Sequence, residues 1–290
     1  MNNTCNDTSN NTAKKTAARP VKIAIFDSGV GGLSIVNHVR ALIPQASLVY
    51  VADNELFPYG LLEEQRLINR VVAILNQVMQ QQSLDIVIIA CNSASTLVLP
   101  SLRQLLTIPV VGVVPAIKPA ALQSQSKVIG LLATPGTIKR DYTDELIAEF
   151  GQNADIIRCG SSELVRLVEH KLAGEEISPD SVAPLLTPLT NHPRWLEMDT
   201  IVLACTHFPL IQAELALAAP QIKFWVDSGE AVARRVNSLL NFTPTSKPRG
   251  QLELALFTKL NQVNPSLLAT LNHFGFGQLE QLTLPSANTA

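Results

Sequence analysis

The fold of this chain is decided by one stretch, Asp85-Ile-Val-Ile-Ile-Ala-Cys-Asn-Ser-Ala-Ser95. Its apolar run from 86 to 89 is too short for the core face of a helix and is typical of a parallel strand covered on both faces. The strand ends on a thiol, a carboxamide and a hydroxyl, those of Cys91, Asn92 and Ser93. Ligands of open α/β sheets bind at the carboxyl ends of the strands, so these side chains are candidates for a site.

A later stretch, Asp199-Thr-Ile-Val-Leu-Ala-Cys-Thr-His-Phe-Pro209, repeats this pattern. It again has an aspartate, a short apolar run and Ala-Cys, followed here by Thr206 and His207. A single cysteine on an apolar strand is usually a small buried core residue. Two cysteines in matching contexts, Cys91 and Cys205, instead predict two strands that each deliver a thiol to a common cleft.

Composition excludes several classes of protein. The chain has 290 residues, 47% of them apolar and 16% charged, which predicts a folded protein of one large domain or two. A net charge of −2 gives no electrostatic basis for binding nucleic acid or an anionic membrane, and no apolar run is long enough to span a bilayer. The four cysteines lack CxxC spacing and no secretory signal precedes them, so reduced thiols in the cytoplasm are expected.

A glycine-rich turn, Asp27-Ser-Gly-Val-Gly-Gly32, connects the first predicted strand to a helix. Such a turn exposes backbone N–H groups and a helix N-terminus, which together bind anions. It lacks the Lys-Ser/Thr ending of a nucleotide P-loop and the G-x-G-x-x-G spacing, so a small carboxylate fits better than a nucleotide. The alternative is a tight turn that needs glycine for geometry alone.

Two further turns carry polar groups. Pro58-Tyr59-Gly60 predicts a rigid turn with a phenol and an accessible backbone amide. Thr134-Pro-Gly-Thr137 repeats the strand-to-helix logic of the first glycine-rich turn, with hydroxyls in place of the aspartate. By itself the first of these turns indicates only a loop, whereas the hydroxyls and backbone amides of the strand-to-helix turns could hold a carboxylate.

The order of elements predicts an α/β protein of two pseudo-symmetric domains, each a mostly parallel sheet flanked by helices, with the active site in the interdomain cleft. Strands and helices alternate up to residue 114, and the pattern restarts at 127, with helices expected over 163–173 and 179–189. The predicted division is a flexible extension over 1–20, a first domain over 21–114 and 227–280, a second domain over 115–226, and a tail over 281–290.

Three kinds of chemistry fit two facing cysteines. Cys91, Cys205, His207 and Asp27 could ligate a metal, although Cys-x-His without a second close pair is poor zinc spacing. A Cys-His nucleophile would explain Cys205 and His207 but leaves Cys91 without a role. Acid–base chemistry from opposite faces of one carbon uses both thiols, since one thiolate removes a proton while the other thiol delivers one. Asp27 would then assist Cys91, and His207 would assist Cys205.

Six segments carry a resemblance to a known family. They are Phe-Asp-Ser-Gly-Val-Gly-Gly-Leu (26–33), Pro-Tyr-Gly (58–60), Ala-Cys-Asn-Ser-Ala-Ser-Thr (90–96), Val-Val-Gly-Val-Val-Pro-Ala (110–116), Ala-Thr-Pro-Gly-Thr (133–137) and Cys-Thr-His-Phe-Pro-Leu (205–210). In this order the chain resembles the glutamate racemases of the cofactor-independent aspartate/glutamate racemase superfamily. The resemblance spans roughly residues 22 to 240 and is specific because six motifs recur together.

The resemblance implies interconversion of L- and D-glutamate for peptidoglycan synthesis, without pyridoxal phosphate, another cofactor or a metal. It implies that Cys91 and Cys205 are the acid/base residues, assisted by Asp27, His207 and Glu169. The substrate-binding residues that it implies are Asp27, Ser28, Pro58, Tyr59, Gly60, Asn92, Ser93, Thr134, Thr137, Thr206 and His207. The expected partners are L/D-glutamate, a nucleotide-muramoyl-alanine activator of the Gram-negative type, and a second copy in a homodimer.

Two positions depart from the family pattern. Ser93 stands where threonine is usual, which keeps the hydroxyl and loses a methyl group. Ala204 stands where many members have glycine before the second cysteine, so Cys205 could be shifted. The alternatives in function are a relative acting on aspartate or another 2-substituted acid, a non-enzymatic amino-acid-binding module, and a single-cysteine hydrolase.

Overall fold

Two parallel sheets form the framework of the computed structural model, which describes residues 20–240 and 253–285. The first sheet has the order β10-β9-β2-β1-β3-β4, and the second has the order β6-β5-β7-β8. The strands are Lys22–Asp27 (β1), Ser47–Ala52 (β2), Ile86–Ile89 (β3), Val110–Gly112 (β4), Val128–Ala133 (β5), Asp155–Gly160 (β6), Thr200–Ala204 (β7), Phe224–Val226 (β8), Leu254–Phe257 (β9) and Gln278–Gln281 (β10).

The two sheets share one topology. The order β2-β1-β3-β4 in the first sheet corresponds to β6-β5-β7-β8 in the second, and β9 and β10 extend the first sheet at one edge. Every neighbouring pair of strands is parallel. The prediction of an α/β protein with two similar, mostly parallel sheets is therefore confirmed.

Helices connect the strands. They are Leu33–Leu42 (α1), Glu64–Gln81 (α2), Asn92–Leu105 (α3), Ile117–Gln123 (α4), Pro135–Ile138 (α5), Asp141–Phe150 (α6), Ser162–Leu172 (α7), Pro179–Val182 (α8), Thr187–Thr190 (α9), Gln212–Ala218 (α10), Gly229–Leu239 (α11) and Pro265–His273 (α12). The prediction of a single helix over 179–189 is wrong. Pro184 and Pro188 lack the N–H that a continuous helix requires, so α8 and α9 are single turns joined by a 3₁₀ segment, Ala183–Leu186.

The strand β3 is buried on both faces, as its sequence predicts. Ile86 and Ile88 face the cluster covered by α1 and α11, while Val87 and Ile89 face the cluster covered by α2 and α3. All four side chains are at most 1% exposed. Each such burial stabilises the folded state by about 1.5–3 kcal/mol relative to an exposed side chain. The core therefore fixes the end of β3, where Cys91 follows.

The predicted domain boundaries stay a prediction. The first sheet takes its strands from residues 22–112 and 254–281, and the second takes its strands from 128–226. The predicted extension lies outside the described residues except for Pro20, and so does the predicted tail beyond residue 285.

The sequence pattern does not predict β10, because a single apolar residue, Leu279, interrupts its polar run. Within the described ranges, no helix has both the length and the hydrophobicity needed to cross a membrane.

Candidate active site

The candidate site lies where the carboxyl ends of strands from both sheets meet. In the first sheet Phe26 pairs with Ile89, so the residues after β1 and β3 lie side by side. In the second sheet Ala133 pairs with Ala204, which places the residues after β5 and β7 together in the same way. The polar and thiol side chains at and after these strand ends are buried: Asp27, Ser28, Cys91, Asn92, Ser93, Thr134, Thr137, Cys205, Thr206 and His207.

Cys91 occupies the cap position in front of α3 and is 6% exposed. Its sulfur lies 3.6 Å from the Ser28 hydroxyl. Burial and the negative charge of Asp27 raise the pKa of the Cys91 thiol to about 12, and the charge of Cys205 acts in the same direction. Cys91 is therefore a protonated thiol at neutral pH and can donate a proton.

Cys205 follows β7 and has a different environment. Its sulfur lies 3.7 Å from Nδ1 of His207, and Nε2 of His207 lies 2.7 Å from a carboxylate oxygen of Glu169. Burial lowers the pKa of His207, but the hydrogen bonds with Cys205 and Glu169 outweigh it and raise this pKa well above 6.5. The imidazole is therefore a cation at neutral pH. A cationic imidazole beside a sulfur is an arrangement that activates a cysteine.

The glycine-rich turn after β1 connects the two halves of the site. The N–H of Val30 donates to Glu169 over 2.8 Å, and the N–H of Gly29 donates to Asp27 over 2.9 Å. The sequence predicts that this turn binds a small carboxylate, and at these two amides the bound carboxylates are the side chains of Asp27 and Glu169. Glycine is required at position 31 for a steric reason, since a Cβ there would lie 2.3 Å from Nδ1 of His207.

Asp27 is completely buried and does not contact Cys91 by any hydrogen bond found among the described residues. Its carboxylate accepts from the Thr206 hydroxyl over 2.9 Å, and Ser28, at 3.5 Å, lies between it and Cys91. Burial raises the pKa of Asp27, although the charge of His207 opposes this. The assistance of Cys91 by Asp27 therefore stays a prediction, and the structure offers a contact through Ser28 for it, while Asp27 is also linked to Thr206, the residue after Cys205.

Three hydroxyls form a chain across the other side of the cleft. Ser93 lies 2.9 Å from the Thr134 hydroxyl, which donates to Thr137 over 3.0 Å and also accepts from the backbone N–H of Thr137. Next to them, the side-chain nitrogen of Asn92 is buried without a hydrogen-bond partner in the described structure. An unpaired buried donor costs about 1–3 kcal/mol, so a ligand acceptor at this position would relieve that cost.

The loop 57–61 places its three predicted residues differently. Tyr59 is 1% exposed, and its phenol donates to Asp53 over 2.5 Å, so this hydroxyl is already engaged within the protein. Pro58 lines a cavity of about 490 Å³ that also borders Glu169. Gly60 lies against Thr134 of the other sheet. The sequence does not reveal Asp53 as part of this region, although it directly follows β2, which is the neighbour of β1 in the sheet.

A Gly136→Ala substitution tests how closely this loop must approach. The added methyl would lie 2.8 Å from the carbonyl oxygen of Gly60, which is closer than Cβ atoms are found. We expect the two sheets to be held slightly apart and KM for the substrate to rise about 10-fold, or about 1.4 kcal/mol, with little change in thermal stability. Steady-state kinetics with Gly160→Ala as the control, whose methyl meets Pro135 at 3.3 Å, measures this. An unchanged KM contradicts the required contact.

The metal alternative can be tested against the geometry. Within residues 20–240 and 253–285, no three His, Cys, Asp or Glu side chains converge so that they could hold a metal ion. Cys91, Cys159 and Cys205 are free. Cys159 lies outside the site, with its thiol 3.5 Å from the Leu185 carbonyl oxygen.

Two similar parallel sheets bring one cysteine each, Cys91 and Cys205, to a common cleft, an arrangement suited to an amino-acid racemase, which removes a proton from one face of a carbon and returns it to the other. The chain belongs to the Asp/Glu/hydantoin racemase family, whose sequence profile matches residues 33–236. The family and the class of enzyme that the motifs predict are thus confirmed.

Individual relatives match nearly the whole chain. The glutamate racemase of Shewanella woodyi is 48% identical over 259 residues, which are 88% of this chain and 95% of that one. The glutamate racemase of Photorhabdus laumondii is 46% identical over 270 residues, which are 92% of each chain. The crystal structure of Escherichia coli glutamate racemase in complex with L-glutamate and the activator UDP-MurNAc-Ala has a TM-score of 0.86 and 43% identity, and the match covers 92% of this chain and 100% of that one.

Proposed function

We propose that this protein interconverts L- and D-glutamate by removing and returning the proton at Cα with two cysteines. The observation that carries the proposal is the contrast between the thiols, since burial and Asp27 keep Cys91 protonated while a cationic His207 lies beside Cys205. The two thiols can then act as base and acid on opposite faces of one carbon. The relatives that cover most of the chain are glutamate racemases, which supports glutamate as the substrate.

The proton transfers balance in both directions. The Cys205 thiolate takes the Cα proton of one enantiomer, the electron pair stays on the carbanion, and the Cys91 thiol delivers its proton to the opposite face. The reverse reaction exchanges the two roles, so Cys91 then acts as the base and Cys205 as the acid. His207 stabilises the thiolate form of Cys205, and Glu169 holds the imidazole in place.

Neutral donors and one carboxylate would orient the substrate. The unpaired amide of Asn92 and the hydroxyls of Ser93, Thr134 and Thr137 can donate to the carboxylates of glutamate. Asp27, the buried carboxylate closest to Ser28 and Thr206, can accept from the substrate ammonium group. Backbone amides of the loop 57–61 complete the set, since the Tyr59 phenol is engaged by Asp53.

Partners and compartment follow from the same reading. The Escherichia coli relative was solved with UDP-MurNAc-Ala as an activator, which supports a nucleotide-muramoyl-alanine activator for this protein as well. D-glutamate produced in this way would serve peptidoglycan synthesis. The free thiols of Cys91 and Cys205 are consistent with the reducing cytoplasm. The homodimer stays a prediction.

Proton exchange in D₂O tests the proposal. Purified protein is incubated with L-glutamate without added cofactor, and NMR and optical rotation are followed together. We expect deuterium to appear at Cα while the rotation decays to zero, and we expect L-aspartate under the same conditions to remain unchanged. Silence with glutamate, repeated in the presence of the nucleotide-muramoyl-alanine precursor, would contradict the racemase function.

A further inference from the structure

A buried cluster of four side chains lies directly behind the loop 57–61. The carboxylate of Asp53, which is 0% exposed, accepts from both Nε and Nη2 of Arg70, over 2.8 Å and 2.6 Å. It also accepts from the phenol of Tyr59 over 2.5 Å and from the hydroxyl of Thr258 over 2.8 Å. We call Asp53, Tyr59, Arg70 and Thr258 the Asp53 cluster. Four donors leave neither carboxylate oxygen without a partner, so the buried charge is compensated.

The Asp53 cluster joins four parts of the first sheet. Asp53 follows β2, Arg70 lies in α2, Thr258 follows β9, and Tyr59 opens the 3₁₀ turn Tyr59–Leu61. The backbone N–H of Asp53 also donates to the carbonyl oxygen of Asp27 over 3.0 Å. The Asp53 cluster therefore fixes the loop 57–61 relative to the strand ends that carry the site.

The outer side of the same loop meets the second sheet. The carbonyl oxygen of Gly60 lies where a Cβ on Gly136 would be 2.8 Å away, and a Cβ on Gly60 itself would be 2.9 Å from Cβ of Thr134. Thr134 in turn is the middle hydroxyl of the chain that includes Ser93 and Thr137. A displacement of the loop by a few tenths of an ångström would therefore displace that hydroxyl chain.

The phenolic hydrogen bond of Tyr59 connects the loop to Asp53. Burial and the negative charge of Asp53 raise the pKa of Tyr59 well above 10, so the phenol stays a neutral donor. Arg70 also pairs with Glu55 over 2.7 Å, which fixes its guanidinium between two carboxylates. The pair of Arg70 with Asp53 is bidentate and therefore rigid, because its two hydrogen bonds constrain the same plane.

We propose that Asp53 and Arg70 are positioning residues of the racemase, which hold the loop 57–61 through Tyr59 and so set the hydroxyl chain for substrate binding. The proposal rests on the proposed function for its effect on substrate affinity. It assigns no contact with substrate to either residue. Its expected signature is a change in KM with a smaller change in kcat, because the thiols and His207 are not part of the cluster.

The test compares Tyr59→Phe with Tyr142→Phe, a tyrosine on the exposed helix α6 that serves as the matched control. Tyr59→Phe removes only the hydroxyl and keeps the ring in the core. We expect KM and the calorimetric Kd for L-glutamate to rise about 10-fold with kcat within about threefold. The amide of Leu62, which donates to the Tyr59 carbonyl, should exchange with D₂O about 10-fold faster. Tyr142→Phe should change none of these.

Arg70→Lys provides a second variant that retains the charge but loses the bidentate geometry, and it should shift the same quantities in the same direction. Unchanged KM and unchanged Leu62 exchange in both variants would overturn the proposal. Faster exchange of the Leu62 amide with an unchanged affinity for glutamate would also overturn it, because the loop would then not control binding. A wild-type protein that neither binds nor converts glutamate overturns the proposed function instead, and the exchange of Leu62 still reports whether the cluster holds the loop.

Discussion

Replacement of either Cys91 or Cys205 by alanine is expected to lower racemisation by about 10²- to 10⁴-fold, because a positioned acid or base contributes a factor in that range and neither thiol can reach both faces of Cα. The two variants should nevertheless differ from each other. With Cys205 retained, its thiolate can still remove the proton of one enantiomer, the resulting thiol can exchange that proton with D₂O, and the deuteron can return to the same face. We therefore expect Cys91→Ala to exchange Cα–H of one enantiomer in D₂O without any change in optical rotation.

Cys159→Ala is the matched control for these substitutions, since it removes a buried thiol that lies outside the site. Its racemisation rate should stay near that of the wild type. NMR of each enantiomer separately, together with polarimetry, measures exchange and racemisation independently. Near-normal racemisation in either active-site variant contradicts a mechanism with two thiols. Exchange of both enantiomers by Cys91→Ala would mean that one base serves both faces.

The strands that carry the site could be predicted from the sequence because their signals are local. β3 is a short apolar run bounded by polar residues, and it is buried on both faces as such a run predicts. β7 repeats the pattern, and the two strands place Cys91 and Cys205 at equivalent positions of two sheets with the same order. The prediction of one helix over 179–189 was wrong because the effect of the prolines within the segment outweighs that of its apolar spacing.

The contacts between side chains could not be predicted from the sequence alone. Glu169 and His207 are separated by 38 residues, and the sequence carries Glu169 only through the family resemblance. Asp53 and Thr258 are 205 residues apart, and nothing in either local pattern indicates that they meet. Asp27, at the end of β1, accepts from Thr206, which follows β7 of the other sheet, because the carboxyl ends of strands from both sheets meet in the cleft. Such pairs depend on tertiary packing, which residue type and spacing do not encode locally.

His207→Asn is expected to lower kcat/KM by about 10²-fold, because the Cys205 thiolate loses the cation beside it. The more informative variant is Glu169→Gln, which keeps the shape of the side chain and an oxygen that can accept from His207 and Val30. The hydrogen bond to the Glu169 carboxylate and its negative charge both raise the pKa of His207. Removal of that charge therefore lowers this pKa, so the imidazole loses its proton at a lower pH.

The pH dependence of the reaction is expected to follow the charge of His207. In the folded protein the pKa of His207 lies above 6.5, so its charge stabilises the folded state fully below the unfolded pKa and this contribution is lost as the pH rises through the folded one. We expect the basic limb of kcat/KM to move to lower pH in Glu169→Gln, in both reaction directions. Glu175→Gln is the control, since it removes a carboxylate that pairs with an exposed histidine, His170. It should leave the pH profile of kcat/KM unchanged. A basic limb that stays in place in Glu169→Gln would show that the imidazolium does not govern the activity of Cys205.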